Sequence, residues 1–371
     1  MEKIFDKKEG LVEKLLRLQP EVAKIVTSSF EMKKEKAYLF IDGTNLYAAQ
    51  YELGSVSLNK NPRMHAGQVK NTIANILMVV KKPLVSIIIT TKNEEKNIGN
   101  CLESIRKQDY SQDRIEVIVV DNNSTDQTKE IARKYTKNVY NYPDLRKNKN
   151  IKNFRGAQLN FGVKKSKGEI IFFPDADMTF DRELVREAAT LISNGYFEAL
   201  FVPEEIIGRG LIGKIRNFER SFYEGTCIDA VRIIKRDLFI NVGGFDETGI
   251  AFGFDDWDFS KRIRSSNAQI GITKNKLYHH EERLTLREYL GKKARYVAAS
   301  SSYIQKWGKN DPDIKKQFGF WYRYFGVFLE NGKWKRLIRH PFSAAGMYFL
   351  RIGVGLVFFK STVFKKFFKM K

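Results

Sequence analysis

Runs of apolar residues that end in polar residues recur through the middle of the chain. Residues 85–89 and 115–120 are two such runs, rich in Val and Ile. The first is followed by Ile98, Leu102 and Ile105 at helical spacing. Strands that alternate with helical segments predict a mostly parallel sheet with crossover helices, which is an α/β fold.

Polar residues stand where each predicted strand ends. Asp121 follows the second strand, and a third strand at residues 170–173 runs into Asp175 and Asp177. In open α/β sheets ligands bind at the carboxyl ends of the strands, so these ends predict one shared crevice. Ser124 and Gln127 have the spacing of a capping box, which predicts the start of the helix after the second strand.

The two ends of the chain differ from this middle part. Residues 1–82 open with a charged, helix-like segment, with Leu11, Leu15 and Leu18 on one face, and predict an appendage to the main domain. Residues 331–371 contain no Asp or Glu and carry ten of the basic residues. Within them, residues 342–359 are mostly apolar but interrupted by Arg351, which predicts a helix lying in the plane of a membrane surface.

Composition narrows the functional classes. The formal net charge of +22 indicates an anionic partner, which could be nucleic acid, an acidic membrane surface or a phosphorylated substrate. A hydrophobic content of 43% excludes a disordered chain. Two cysteines, Cys101 and Cys227, are too few for a disulfide framework, and the first residues do not read as a signal peptide. We therefore expect the protein to work in the cytoplasm.

Asp175 and Asp177 are separated by one residue, directly after an apolar strand. Two carboxylates so placed can bind a hard divalent cation, Mg²⁺ or Mn²⁺, and leave coordination positions for diphosphate oxygens. Taken alone, such a pair is more often two exposed carboxylates in a turn. The neighbouring motifs favour the metal site.

Five successive motifs resemble those of family 2 glycosyltransferases, which have the GT-A fold. They occur in the family's order, at residues 85–94, 119–126, 168–177, 243–247 and 255–262. The resemblance extends over residues 83–282. It implies a nucleotide-diphosphate sugar as donor and a divalent metal as cofactor.

The resemblance also assigns roles to single residues. The positions that match the family's contacts to the nucleotide sugar are Thr90, Asn93, Glu94, Asp121, Arg155 and Asp175. The positions that match its metal site are Asp175 and Asp177, and His279 or His280 lies where related enzymes place a histidine near the metal. Thr90 stands where the family often has Pro, and Pro174 where it often has Leu, so the exact shape of these loops is open.

Asp255 and Asp256 match the acidic pair that provides the family's catalytic base. An inverting transfer needs one carboxylate to deprotonate the acceptor hydroxyl. We expect Asp256 to be that base, with Asp255 as the second candidate. Taken alone, an acidic run here could also be a solvated helix start, which the helix dipole favours. In this family an insert such as residues 203–226 helps to form the acceptor site.

These features predict an inverting, metal-dependent glycosyltransferase that acts on a lipid-linked or cell-surface glycan. We expect the protein to be attached peripherally to the inner face of the cell membrane, where it binds the anionic membrane surface. The predicted parts are an appendage (1–82), the GT-A domain (83–290) and a basic helical region (291–371).

An alternative class rests on the basic charge and on residues 40–47, which resemble the first strand and acidic turn of NYN-type (PIN-like) nucleases. That reading predicts a nucleic-acid-binding or processing protein that uses Asp42. The resemblance is short and much of the charge lies in the C-terminal tail, so we expect no nucleic-acid partner.

Overall fold

The computed structural model describes residues 39–41, 46–48, 82–142, 150–251, 253–282 and 284–368. The chain divides into two compact units, Met1–Lys82 and Pro83–Lys371. In the first, β1 (Leu39–Ile41) pairs in antiparallel fashion with β2 (Leu46–Ala48). The predicted N-terminal helix and Asp42 lie outside the described residues.

The strands of the second unit form two sheets. In chain order they are β3 (Val85–Thr91), β4 (Ile115–Asp121), β5 (Val139–Asn141), β6 (Ile170–Phe172), β7 (Met178–Phe180), β8 (Ala199–Phe201), β9 (Glu204–Ile207), β10 (Val231–Lys235), β11 (Ile270–Ile272) and β12 (Leu277–His280).

Helices connect these strands and follow them. They are α1 (Ile98–Arg106), α2 (Thr128–Arg133), α3 (Phe154–Lys165), α4 (Leu184–Ser193), α5 (Gly210–Arg220), α6 (Arg236–Asn241), α7 (Asp255–Ser265), α8 (Leu286–Trp307), α9 (Pro312–Phe318), α10 (Val327–Leu329), α11 (Trp334–Arg339) and α12 (Pro341–Phe368). Short 3₁₀ turns lie at Gln112–Arg114 and Glu330–Gly332, and a π-helical turn at Tyr322–Gly326.

The large sheet has seven strands in the order β11-β8-β10-β6-β3-β4-β5. Its strands are parallel except β10, which runs antiparallel to both of its neighbours, β6 and β8. A small sheet, β7-β12-β9, lies beyond the end of β6. The predicted α/β fold with a mostly parallel sheet is confirmed.

Alternate residues of the central strand β3 pack into two hydrophobic layers. Ile87 and Ile89 contact the layer that includes α1 and α4, whereas Ile88 contacts the layer that includes α3, α6 and α7. All three side chains are fully buried. A parallel strand covered on both faces reads as a continuous apolar run, which is why the sequence predicted it well.

The start of α3 positions one of the predicted site residues. Asn153 caps this helix by accepting a hydrogen bond from the Gly156 amide at 2.9 Å. Gly162 lets the helix lie close to β3, since a Cβ there would come within 2.4 Å of the Ile88 side chain. The helix therefore holds Arg155, in its first turn, at the carboxyl edge of the sheet.

The predicted capping box at Ser124 and Gln127 is wrong. Helix α2 starts later, at Thr128, and the side chain of Gln127 makes no capping hydrogen bond. The Ser124 hydroxyl instead donates to the Asp121 carboxylate at 2.5 Å. A buried carboxylate just upstream is the stronger acceptor and takes the hydroxyl away from the helix end.

The C-terminal helix α12 packs against α5 and α8 through one face. Met347 and Leu350 are buried there, and Arg351 forms an ion pair with Glu219 at 2.9 Å. Within the described residues, the segment Pro341–Phe359 is the one helix stretch long and apolar enough to cross a membrane. The charge of Arg351, which interrupts the apolar run, is thus paired inside the protein. The orientation of this helix in the plane of a membrane stays a prediction.

Candidate active site

The carboxyl ends of β3, β4 and β6 meet at one edge of the large sheet. Thr90 in β3 forms an isolated bridge with Asp175, which follows β6. Thr91, the last residue of β3, donates from its hydroxyl to the Asp121 carboxylate at 2.9 Å. The predicted strand ends are therefore brought together at one place.

Asp175 lies between two arginines. Its Oδ1 accepts from Arg155 Nη2 at 3.0 Å, and its Oδ2 accepts from Arg232 Nη1 at 3.2 Å. Burial alone would raise the pKa of Asp175, but the two guanidinium charges outweigh it and hold the pKa well below its usual range. Asp175 is therefore a fixed anion that positions two cations.

Asp177 contacts a different partner. Its Oδ2 lies 3.1 Å from Nε2 of His279 on β12, and about a third of its side chain is exposed. Burial lowers the pKa of His279, but the hydrogen bond that its ring donates to Asp177 and the charge of that carboxylate outweigh the burial and raise the pKa. Asp177 and His279 form a pair that is open to a ligand.

His280 does not join this pair. Its Nε2 lies 2.9 Å from Thr179 Oγ1, and its Nδ1 lies 2.9 Å from Glu282 Oε1. Neighbouring residues of a strand point to opposite faces, so His279 and His280 cannot both face Asp177. Of the two histidines, the structure brings His279 to the site.

The donor atoms at this edge fit a metal that is shared with a substrate. Among the described residues, no group of three or more His, Cys, Asp and Glu side chains is placed to hold a cation by itself. Asp177 and His279 offer one carboxylate and one imidazole, while both oxygens of Asp175 contact arginines. Mg²⁺ is typically bound by one or two carboxylates together with substrate phosphates, so this small donor set suits a substrate-linked ion.

Asp255 and Asp256 begin α7 on the other side of Arg155. The Nη1 atom of Arg155 lies 3.0 Å from Asp255 Oδ2 and 3.0 Å from Asp256 Oδ1. The side chain of Asp255 is 3% exposed and that of Asp256 is 30% exposed. Burial, and next the charge of Asp256, raise the pKa of Asp255. Asp256 is the carboxylate of the two that a substrate can reach.

The residues predicted to contact the nucleotide form a connected loop. Asn93 has a positive φ of 57° and accepts a hydrogen bond from the Thr125 amide at 2.9 Å, so it ties the end of β3 to the end of β4. Burial raises the pKa of Glu94 despite a hydrogen bond from Asn97, and the charges of Asp177 and Asp175 add to the rise. Glu94 thus faces the acidic pair.

Asp121 differs from these loop residues in being fully buried. Its oxygens accept from Thr91, from the Ser124 amide and from the Ser124 hydroxyl. All of these contacts are internal, so in this structure Asp121 holds the loop together. Its predicted contact with the base stays a prediction.

A cavity of about 690 Å³ opens beside the site. Asp256 and His279 both line it, and α5, α8, the π-helical turn and α12 form its far walls. Residues 203–226, expected to form the acceptor site, contribute Glu204, Ile206, Arg216, Glu219, Arg220 and Tyr223 to the lining. The cavity therefore connects the candidate base with the C-terminal helix.

Two models of known families match the chain. The model described as glycosyl transferase family 2 covers residues 86–246, and the model described as the N-terminal domain of galactosyltransferase covers residues 211–283. The first match assigns residues 86–246 to glycosyl transferase family 2. The family predicted from the five motifs is confirmed, and the NYN-like resemblance has no support from these matches.

Known proteins match the chain over part of their length. Poly(ribitol-phosphate) beta-N-acetylglucosaminyltransferase TarS of Staphylococcus aureus is 35% identical over 127 residues, which are 34% of this chain and 22% of TarS. Beta-monoglucosyldiacylglycerol synthase of Synechocystis is 26% identical over 210 residues, which are 53% of this chain and 43% of the synthase. The chain thus spans less than half the length of both.

Among solved structures, a mannosyltransferase from Pyrobaculum calidifontis in complex with GDP-Man and Mn²⁺ is 19% identical, with a TM-score of 0.49. The match covers 79% of this chain and 96% of that one.

Sequence reasoning missed two residues of this site, Arg232 and Glu204. Arg232, on β10, contacts Asp175, and it also donates to Glu204 Oε1 at 2.7 Å from Nη2. Both side chains are buried. The one signal was an arginine inside the apolar strand at residues 231–235, since a buried cation requires a paired carboxylate.

Proposed function

We propose that the protein is an inverting, metal-dependent glycosyltransferase that moves a sugar from a nucleotide-diphosphate sugar to a lipid-linked or cell-surface glycan acceptor. One observation carries the proposal. Asp256 and His279 line the same cavity, and His279 contacts Asp177 at 3.1 Å. A candidate base and a residue of the candidate diphosphate site therefore face one space.

The donor half of the proposal rests on Asp177 and His279. These two side chains would hold Mg²⁺ or Mn²⁺, for which a carboxylate oxygen is a suited ligand. When bound, such an ion offsets the negative charge that develops on the departing diphosphate. Arg155 and Arg232, fixed by Asp175, add positive charge at the same edge. Thr90, Asn93 and Glu94 are the proposed contacts to the nucleoside.

The transfer step is assigned to Asp256. Its carboxylate takes the proton of the acceptor hydroxyl, and the acceptor oxygen forms a bond to the anomeric carbon. The bond from that carbon to the diphosphate oxygen breaks, and the nucleoside diphosphate leaves with the electron pair. Attack from the face opposite the leaving group inverts the anomeric centre. Arg155, 3.0 Å from Asp256, holds the base in place.

The acceptor side of the proposal rests on the cavity and on charge. The cavity runs from Asp256 to α12, whose outer face carries exposed apolar side chains such as Phe349. The net charge of +22 favours an anionic membrane surface. We place the protein at the cytoplasmic face of the membrane, attached peripherally, with no nucleic acid among its partners.

A thermal-shift screen tests the proposal. The full-length protein is heated with a panel of UDP-, GDP-, CMP- and TDP-linked sugars, each with Mn²⁺ and each with EDTA. A ligand that binds the native state raises the midpoint by mass action. We expect one nucleotide class to raise it with Mn²⁺ and not with EDTA. If no nucleotide sugar shifts the midpoint, or if the shift is independent of the metal, the proposal is wrong.

A further inference from the structure

The far wall of the cavity carries more positive than negative charge. Of the residues that line the whole cavity, seven are Lys or Arg and four are Asp or Glu. Five of these cations pair with a carboxylate within 4.0 Å, namely Arg216, Arg220, Arg232, Lys292 and Arg351. The excess must therefore lie elsewhere on this wall.

Lys293 and Arg323 account for the excess. Neither forms an ion pair with any carboxylate in the described part of the chain. The Lys293 ammonium lies over the rings of Tyr289, at 5.2 Å, and Tyr296, at 5.7 Å. The Arg323 guanidinium lies 5.5 Å from the Tyr223 ring, and its buried Nη1 has no hydrogen-bond partner within the described protein.

These two cations repel each other and their neighbours. Burial, and next the positive charge of Arg216, lower the pKa of Lys293 to about 7, with Arg323 adding to the effect. Holding cations together without counter-charges costs free energy, which an anionic ligand would recover. Phosphate is suited to this place because guanidinium and ammonium groups bind its oxygens through charge-assisted hydrogen bonds.

The side of the cavity toward α12 is apolar. Val354, Phe358 and Phe359 line it, together with Phe318 of α9. Phe359 is also 70% exposed, and Leu356 and Ile352 next to it on α12 are 64% and 55% exposed. The cavity therefore continues from its cationic wall onto an apolar surface. A ligand that matches both parts has an anionic head and an apolar chain.

We propose that the acceptor is a phosphate-bearing lipid, whose phosphate is bound by Lys293 and Arg323 and whose chain leaves along α12. This inference rests on the proposed function, because it names the acceptor of that reaction. It commits to a phosphate carried by a lipid. A phosphate carried by a water-soluble polymer is treated as an outcome of the test.

Three matched probes separate head from chain. Dihexanoyl phosphatidylglycerol, used below its critical micelle concentration, has both a phosphodiester and acyl chains. Glycerophosphoglycerol has the same phosphodiester without chains, and dihexanoylglycerol has the chains without phosphate. Calorimetric titration of the full-length protein should give a dissociation constant for the first probe about tenfold or more below that of either other probe, because only the first makes both sets of contacts.

Four variants locate the site. Lys293→Met and Arg323→Gln should each weaken binding of dihexanoyl phosphatidylglycerol about tenfold, the loss of one charge-assisted contact. Lys293→Arg keeps the charge and should bind nearly as the wild type does. Lys335→Met removes an exposed lysine of α11 that does not line the cavity, and should change nothing. Melting curves of all four report on folding.

Several results would overturn the inference. Equal binding by Lys293→Met and wild type would exclude the cationic site, and equal binding of dihexanoylglycerol would exclude a role for phosphate. Equal binding of glycerophosphoglycerol would indicate a soluble phosphate polymer and exclude the lipid.

Nucleotide-sugar binding with Mn²⁺, measured on the same wild-type preparation, separates this inference from the proposed function. Donor binding without lipid binding contradicts the inference alone. Lipid binding without donor binding supports the phosphate site and contradicts the glycosyltransferase.

Discussion

Nη1 of Arg155 lies 3.0 Å from Oδ1 of Asp256. The same guanidinium contacts Asp175 and Asp255, so one arginine links the loop after β6 with the start of α7. Three carboxylates around one largely buried cation form a network that depends on that cation. The candidate base and the Asp175–Asp177 loop are thus held by one shared side chain.

Replacing Arg155 by Met should destabilise the fold. The change leaves Asp175, Asp255 and Asp256 close together without their shared cation, and breaking a buried ion pair in this way costs about 3–5 kcal/mol. Chemical denaturation at neutral pH measures the change. Arg114→Met is the matched control, because Arg114 pairs with Asp113 at the surface and such pairs are worth less than about 1 kcal/mol. Equal stabilities of the two variants would contradict the role given to Arg155.

Asp256→Asn should reduce the turnover number of sugar transfer by about 10²–10⁴, the usual contribution of a general base. Asp255→Asn should act mainly on stability, because Asp255 is 3% exposed and lies behind Asp256. Steady-state kinetics and melting curves separate the two effects. Asp237→Asn, an exposed acid in the first turn of α6, is the control. A fully active Asp256→Asn would move the base elsewhere.

Binding of the phosphodiester lipid should weaken as pH rises. Lys293 has a pKa of about 7 in the free protein, so it is protonated below pH 7 and loses its positive charge above it. An anion binds the protonated form, which makes affinity highest on the acid side and lower as pH rises through about 7.

The lipid's phosphodiester keeps its charge throughout this range, so the change reports on the protein. The charged groups that face Lys293 are Arg216, Glu219, Arg323 and Lys292. Of these, Glu219 titrates with a lowered pKa and stays ionised near pH 7. Lys293→Arg should show a flat profile between pH 6 and pH 9. A wild-type profile as flat as that of this variant would contradict the prediction.

The exposed face of α12 should drive membrane attachment. Phe342 and Phe349 are 90% and 77% exposed, and inserting such a side chain contributes about 1.5–3 kcal/mol. The double variant Phe342→Ser/Phe349→Ser should therefore bind phosphatidylglycerol vesicles about a hundredfold or more weakly in a sedimentation assay, while its melting curve stays unchanged. Tyr196→Ser/Ile240→Ser removes two comparably exposed side chains outside α12 and should sediment as the wild type does.

Deleting the basic tail would be a poorer test of attachment. Met347, Leu350 and Arg351 are buried against the rest of the protein, and deletion would leave Glu219 without its partner. A loss of sedimentation could then result from weaker membrane attachment or from misfolding, and the deletion would not distinguish the two.

The sequence predicted those parts of the site that follow local rules. Strand ends marked by Asp121, Asp175 and Asp177 lie at one edge because parallel strands put them there. The alternation of side chains along a strand also explains why only His279 of the histidine pair reaches Asp177.

Other parts depend on contacts far apart in the chain and leave no local pattern. Lys293 and Arg323 meet on one cavity wall although 30 positions separate them, and each taken alone reads as an ordinary surface cation. The sequence pattern predicts that Ser124 caps a helix, but its hydroxyl contacts Asp121 instead. That contact is favoured because Asp121 is fully buried, which the local sequence does not reveal. Burial of that kind is set by the whole fold.

The affinity of a nucleoside diphosphate, measured by calorimetry with and without Mn²⁺, tests the central claim most directly. The wild-type protein should bind UDP or GDP in the presence of Mn²⁺ and lose that binding in EDTA. In Asp177→Asn, Mn²⁺ should no longer increase the affinity for the nucleoside diphosphate. In Glu205→Gln, which removes a surface carboxylate paired with Lys276, Mn²⁺ should increase the affinity as in the wild type. Binding that is equally tight without metal, or unchanged in Asp177→Asn, would contradict the account.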